Sequence, residues 1–290
     1  MNGFLIINKE TGITSFDVIR QLRKKLGQLK MGHLGTLDPL ATGVLVVAIN
    51  KATKLVEYLM GEDKEYEVEA VFGASSDTYD RDGEITPGEM SGVVLHPATI
   101  KETMKSFVGE IDQIPPKFSA LKVRGMRACD RVRRGEDVQL ASRKIKIHEF
   151  ELLELKQKIG TFRVRCSSGT YIRSLINDLG QKLGVGAYVE KLNRTKVGDF
   201  SIEDAVRVDD VNIDNIGENL ISLRDAMKVY EHIELTEDEY NDVKDGKQIG
   251  VGLHQIKSQN DSEVVIGLYK DELKTIFRLC EGKLKIQKNL

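Results

Sequence analysis

The sequence predicts an α+β fold in two parts, a large mixed unit followed by a small, mostly β one, and three observations carry that expectation. Apolar or alternating runs recur at 4–7, 44–49, 64–73 and 144–166 and read as strands. Between them, residues 15–26 and 97–109 place apolar side chains at helical spacing. The composition then changes. Over 201–218, Glu203, Asp204, Asp209, Asp210, Asp214 and Glu218 stand against a single arginine, and short strands such as Val264–Tyr269 and 283–286 dominate afterwards. Units of 1–225 and 226–290 are therefore expected, the first long enough to bury a full core.

The first strand, 4–7, leads through a turn at 8–12 into the helix 15–26. Phe16, Ile19, Leu22 and Leu26 are expected on its inner face, with Gly27 as its stop. Its outer face carries Arg20, Arg23, Lys24 and Lys25, followed by Lys30, a pattern that fits either a solvated face or a phosphate-contacting one. The loop 32–43 follows, with glycines at 32, 35 and 43. Asp38 stands directly before Pro39, which biases it towards extended backbone. Such an aspartate either caps a turn or is a stiffly mounted nucleophile. The strand 44–49 comes next, then a helix at 51–60 packed through Leu55, Val56 and Leu59. Tyr66 opens the strand 64–73, where an amphipathic ring is ordinarily half-buried.

Asp77, Asp80, Asp82 and Glu84 crowd the next loop, but their spacing fails the calcium-loop pattern, and the loop is expected to be a solvated turn. The helix 97–109 is expected to bury Ile100, Met104, Phe107 and Val108. From 117 to 134, Lys117, Lys122, Arg124, Arg127, Arg131, Arg133 and Arg134 face one acid, Asp130. Clustered cations of this kind make a local phosphate-binding arm, or else a solvated helix. A hairpin is expected from 144–157 and 161–166, followed by a strand-to-helix passage through Leu179 and Leu183.

Composition narrows the functional classes. With 43 basic and 45 acidic residues and a formal charge of −2, global charge does not mark a nucleic-acid binder, so any RNA surface is local. Cys129, Cys166 and Cys280 are far apart without metal-type spacing, which argues for a reduced cytoplasmic protein with neither disulfides nor structural zinc. No apolar run reaches a membrane span, and the amino terminus lacks a secretion-signal pattern.

Three strings carry a family resemblance. Gly32-His33-Leu34-Gly35-Thr36-Leu37-Asp38-Pro39-Leu40-Ala41-Thr42-Gly43, Ile114-Pro115-Pro116-Lys117-Phe118-Ser119-Ala120-Leu121-Lys122-Val123 and Gly169-Thr170-Tyr171-Ile172-Arg173 resemble, in order, the motifs of the TruB family of pseudouridine synthases. The chain departs from them at Glu10, where the family usually has proline after Asn8-Lys9, at Phe118 for tyrosine, and at Asn193 for arginine. The resemblance implies the pseudouridine-synthase fold, a mixed, mainly antiparallel sheet flanked by helices, followed by a small PUA-like RNA-binding domain. It implies isomerisation of the uridine at position 55 in the T-loop of transfer RNA, by a monomer without cofactor or metal. By the same resemblance Asp38 is the nucleophile, Arg173 pairs with it, and Tyr66 stacks on the flipped base. His33, Leu192, Tyr171 and Lys9 become substrate-binding residues, and the cations of 117–146 meet RNA backbone. Two rivals stand beside this reading. A non-catalytic RNA-binding protein needs only the basic surface, and a guide-RNA-dependent synthase shares the aspartate motif. Pro39-Leu40-Ala41-Thr42-Gly43 looks more like the standalone type.

Overall fold

Two strands, Gly3–Lys9 and Thr42–Ile49, pair antiparallel along seven residues and are apolar almost without interruption because both of their faces are buried. Leu5, Ile7, Leu45 and Val47 point into one core, Phe4, Ile6, Val44 and Val46 into another. The computed structural model describes residues 1–88, 95–252, 254, 256 and 263–290. These two strands lie towards one edge of a ten-stranded sheet whose path runs Leu220–Ile221, Gly3–Lys9, Thr42–Ile49, Ala187–Val197, Lys64–Phe72, Ile159–Cys166, Arg143–Lys156 and Gly109–Gln113. Along that path every pairing is antiparallel except Thr42–Ile49 with Ala187–Val197. The fold is therefore mixed and mainly antiparallel, as expected.

The helices Ser15–Leu26, Pro97–Lys105 and Ile172–Lys182 contribute Ile19, Ile100 and Leu175 to the first core. Ser15–Leu26 is started by a capping box between Thr14 and Asp17, which satisfies donors that the first turn leaves open. Its buried stripe is Ser15, Val18, Ile19, Leu22 and Leu26, and Phe16, expected inward, is 55% exposed. Two further local expectations are corrected. Residues 51–60 are not one helix but a 3-10 turn, Asn50–Lys54, followed by a single α turn, Val56–Leu59, which lets Ala52, Leu55 and Leu59 all reach the second core. The helix after residue 97 ends at Lys105, and Val108 is exposed because the chain is already turning into the Gly109–Gln113 strand.

The opposite face of the large sheet is covered by a second, five-stranded sheet formed by Glu231–Glu234, Ile249–Gly250, Val264–Tyr269, Glu272–Cys280 and Lys283–Asn289. Ile266, Leu268, Leu273 and Ile276 from this sheet share one core with Phe4, Ile6, Val44 and Val46. Its other face holds its own cluster around Phe277 and Leu284. No helix among the described residues is long and apolar enough to cross a membrane.

Candidate active site

The loop between Met31–His33 and Thr42–Ile49 is held from below by backbone contacts. Lys9 Nζ donates to the carbonyls of Glu10, Ile13 and Pro39 at 2.8, 2.7 and 3.3 Å, and Thr11 Oγ1 donates to Leu40 O at 3.0 Å. Leu37 N donates to Ser15 Oγ at 2.9 Å, and Ser15 Oγ donates back to Leu37 O at 3.2 Å. The loop ends at Gly43, with φ 98°, where a Cβ would lie 2.2 Å from Arg194 O, so only glycine allows the neighbouring strand this close. Pinned on both sides, Asp38 presents its carboxylate to a pocket of about 580 Å³.

Tyr66, Leu192, Tyr171 and Arg173 line that pocket with Asp38. Arg173 is buried, and its Nε pairs with Asp38 Oδ2 at 2.9 Å, while the Asp38 side chain stays one-third exposed. The rest of the guanidinium is held by three bonds: Nη1 donates to Thr78 O and Asp80 Oδ2, both at 3.0 Å, and Nη2 donates to Phe118 O at 3.1 Å. The Arg173 helix is itself clamped by Gln113, which donates to Tyr171 O at 2.9 Å and accepts from Tyr171 N at 2.8 Å. Arg143 lies over the Tyr171 ring, 4.6 Å from its centroid.

Asp80 corrects the expectation of a solvated acidic turn. Its residue is 4% exposed, accepts from Thr78 Oγ1 at 2.6 Å and from Asp82 N at 3.1 Å, and belongs to a loop bonded to Val189 of the adjacent strand. Burial pushes its pKa up, against the lowering effects of the Thr78 hydroxyl and Arg173. Two carboxylates thus share one guanidinium.

Arg194 is the second residue that sequence reasoning passed over. It is fully buried, and its Nε and Nη2 donate to Val44 O and Gly35 O at 2.8 and 3.1 Å, so it braces the start of the Asp38 loop and the strand that follows it. A signal for it existed, because Arg194 follows Leu192 by two positions and a strand puts such residues on one face. Burial raises the Tyr66 pKa and Arg194 opposes that rise. The phenol stays protonated at neutral pH. Lys64 lines the pocket too, donating to Met60 O at 2.9 Å and to Glu62 O, and burial with the charge of Arg194 lowers its pKa to about 8. Cys166, paired with Lys64 in register, is pushed up to about 12 by burial and offers no thiolate.

The remaining expected residues separate. Lys9 is fully enclosed beneath the loop with its ammonium on three carbonyls, so it supports Asp38 and is closed to substrate. His33 is half-buried on the short Met31–His33 strand, outside the pocket lining, with burial and then Arg194 lowering its pKa. In the basic arm, Lys122 reaches the pocket. Arg131 folds inward to Val123 O and Glu136, Arg127 and Arg133 share Asp130, and Lys117 meets Asp137. The arm therefore faces three acids rather than one. Lys122, Arg124 and Arg134 are exposed and, among the described residues, without an ion-pair partner.

A lone carboxylate on a braced loop, paired with a buried arginine beside a tyrosine on a mainly antiparallel sheet, defines the architecture of a pseudouridine synthase. The description "TruB family pseudouridylate synthase (N terminal domain)" matches residues 23–172, and "tRNA pseudouridylate synthase B C-terminal domain" matches 173–232. tRNA pseudouridine synthase B of Clostridium tetani is 44% identical over 237 residues, 82% of each chain, and that of Aquifex aeolicus is 37% identical over 274 residues, 93% of each. Among solved structures, a Cbf5-Nop10-Gar1 complex contains a chain 26% identical with TM-score 0.75, covering 99% of this chain and 84% of that one. A chain of an H/ACA RNP bound to a substrate RNA containing 2'-deoxyuridine is 26% identical with TM-score 0.74 at the same coverage. The chain belongs to the TruB family of pseudouridylate synthases.

Proposed function

We propose that this enzyme converts the uridine at position 55 in the T-loop of transfer RNA to pseudouridine, with Asp38 as nucleophile. The observation that carries the reading is the Asp38–Arg173 pair at 2.9 Å at the pocket that Tyr66 and Leu192 also line. The target base is stacked inside a folded loop and is flipped out to be reached. Tyr66 takes one face of the extruded ring by stacking, Leu192 packs against it, and the largely neutral His33 ring fills the space left in the RNA.

Arg173 pairs with the Asp38 carboxylate and holds it oriented for attack. Asp38 forms a transient covalent bond to the nucleotide, the N1–C1′ bond breaks, the base turns, C5 bonds to C1′, and the Asp38 bond is cleaved to return the free carboxylate. A proton leaves C5 and N1 gains one, so atoms balance without redox chemistry. The protonated Tyr66 phenol is a candidate donor of the proton that N1 gains. The exposed cations of the arm, Lys122, Arg124 and Arg134, meet backbone phosphates, and the C-terminal five-stranded sheet serves as a PUA-type RNA-binding unit on a monomer. The relatives from Clostridium tetani and Aquifex aeolicus bear the name tRNA pseudouridine synthase B, which favours a standalone enzyme over a guide-dependent one. Release of tritium from C5-labelled uridine in unmodified transfer RNA tests the reading. Stoichiometric release lost in Asp38→Asn is expected, and undiminished release from that variant would remove Asp38 as nucleophile.

A further inference from the structure

Phe16 is the one exposed aromatic side chain among the described residues. A single apolar residue on a surface is ordinary, but this ring is supported. The Arg20 guanidinium lies over it, 5.5 Å from the centroid, and Arg20 is held in turn by Asp17 at 2.7 Å. Asp17 also closes the capping box with Thr14, so its charge is met by Arg20 and by the helix start. Arg20 and Lys24 follow Phe16 at i+4 and i+8 and are both exposed, which extends the aromatic surface into a cationic track. The track is tied to the reaction centre. Ser15, next to Phe16, exchanges its two hydrogen bonds with Leu37, next to Asp38.

We infer that Phe16 is a base-stacking subsite for an unpaired nucleobase of the RNA substrate, with the adjoining phosphates along Arg20 and Lys24. The inference rests on the function proposed above. Extrusion of one base leaves neighbours without a stacking partner, and an aromatic face accepts any base because every base has a π-face. The guanidinium on the ring adds cation–π attraction and positive charge where the backbone passes. The shared junction at Ser15 and Leu37 fixes the distance between this base and the one over Asp38, so the subsite also sets register.

The chain contains no tryptophan, so Phe16→Trp installs a single indole reporter. Titration with unmodified transfer RNA is expected to quench its emission saturably, at the concentration where filter binding saturates. Phe16→Ala is expected to weaken RNA affinity about tenfold, Phe16→Tyr to restore it, and Phe16→Leu to fail to, because leucine supplies apolar cover without a π-face. Wild-type enzyme that releases tritium while the Phe16→Trp emission stays unmoved, or a Phe16→Leu variant that binds like wild type, overturns the subsite alone. Wild-type enzyme that releases no tritium overturns the function on which it rests.

Discussion

One buried guanidinium reads two carboxylates, and this arrangement makes Arg173 irreplaceable by a point charge. Lysine cannot span Asp38, Asp80 and the carbonyls of Thr78 and Phe118 together. Arg173→Lys is expected to lower the single-turnover rate about a hundredfold while RNA affinity stays within about threefold, and a defect lying wholly in affinity would place Arg173 outside the chemistry. Asp80→Asn leaves the guanidinium one carboxylate short and is expected to cost about 3 kcal/mol of stability, read from urea midpoints, along with a rate loss of tenfold or more. Lys64 gives a pH signature. Its folded pKa of about 8 lies below the ordinary lysine value, so between about pH 8 and 10 the unfolded chain binds more protons and stability rises with pH. Lys64→Met is expected to reduce that slope by up to about 1 kcal/mol per pH unit. Denaturant midpoints measured at successive pH values check it, and an unchanged slope would mean the ammonium is better solvated than its enclosure implies.

At the scale of elements, the basic arm divides into cations that fold it and cations that are free to meet RNA. Arg131 bonds Val123 O at 3.1 Å and pairs with Glu136, holding the small hairpin of Lys122–Val123 and Met126–Arg127 to the helix Ala128–Arg133. Lys122, Arg124 and Arg134 are open. Neutralising those three is expected to flatten the slope of log affinity against log salt by about 2, similarly for different loop sequences, whereas Arg131→Ala acts through loss of arm structure. Binding isotherms at several salt concentrations decide this, and equal slopes for the triple variant and wild type would leave the arm as mere solvated surface. The helix Ser15–Leu26 shows how an element can be read correctly in extent and wrongly in facing. Its limits follow from cap and glycine, but with Ser15 and Val18 occupying the buried stripe, Phe16 is rotated outward.

The molecule as a whole is stitched together by the strands Gly3–Lys9 and Thr42–Ile49, whose alternate side chains feed two cores. Because Ile266, Leu268, Leu273 and Ile276 complete the second core, the C-terminal sheet is packed on the back of the active-site sheet instead of hanging from a linker. Ile276 is fully buried there, and Ile276→Ala is expected to cost about 2–5 kcal/mol. The loss should appear in one cooperative transition in urea followed by circular dichroism. Two separated transitions in the wild-type protein would show that the shared core does not couple the sheets.

The sequence by itself determined the elements and the mount of the site: the helix 15–26, the doubly apolar strands and the glycine-flanked turn that carries Asp38, while Tyr66, Tyr171, Arg173 and Leu192 were brought to the site only by the family resemblance. The helix, the strands and the turn are local signals, since periodicity and turn chemistry are complete within about ten residues. Tertiary structure decided where charge is buried. Arg173 meets Asp80 across 93 positions, and nothing within the acidic loop distinguishes Asp80 from its solvated neighbours. Lys9, Lys64 and Arg194 look like surface cations by type and become bracing groups only because backbone carbonyls from separate segments converge on them. A buried charge is tolerated when its partners surround it, and those partners are chosen by topology, not by the flanking sequence.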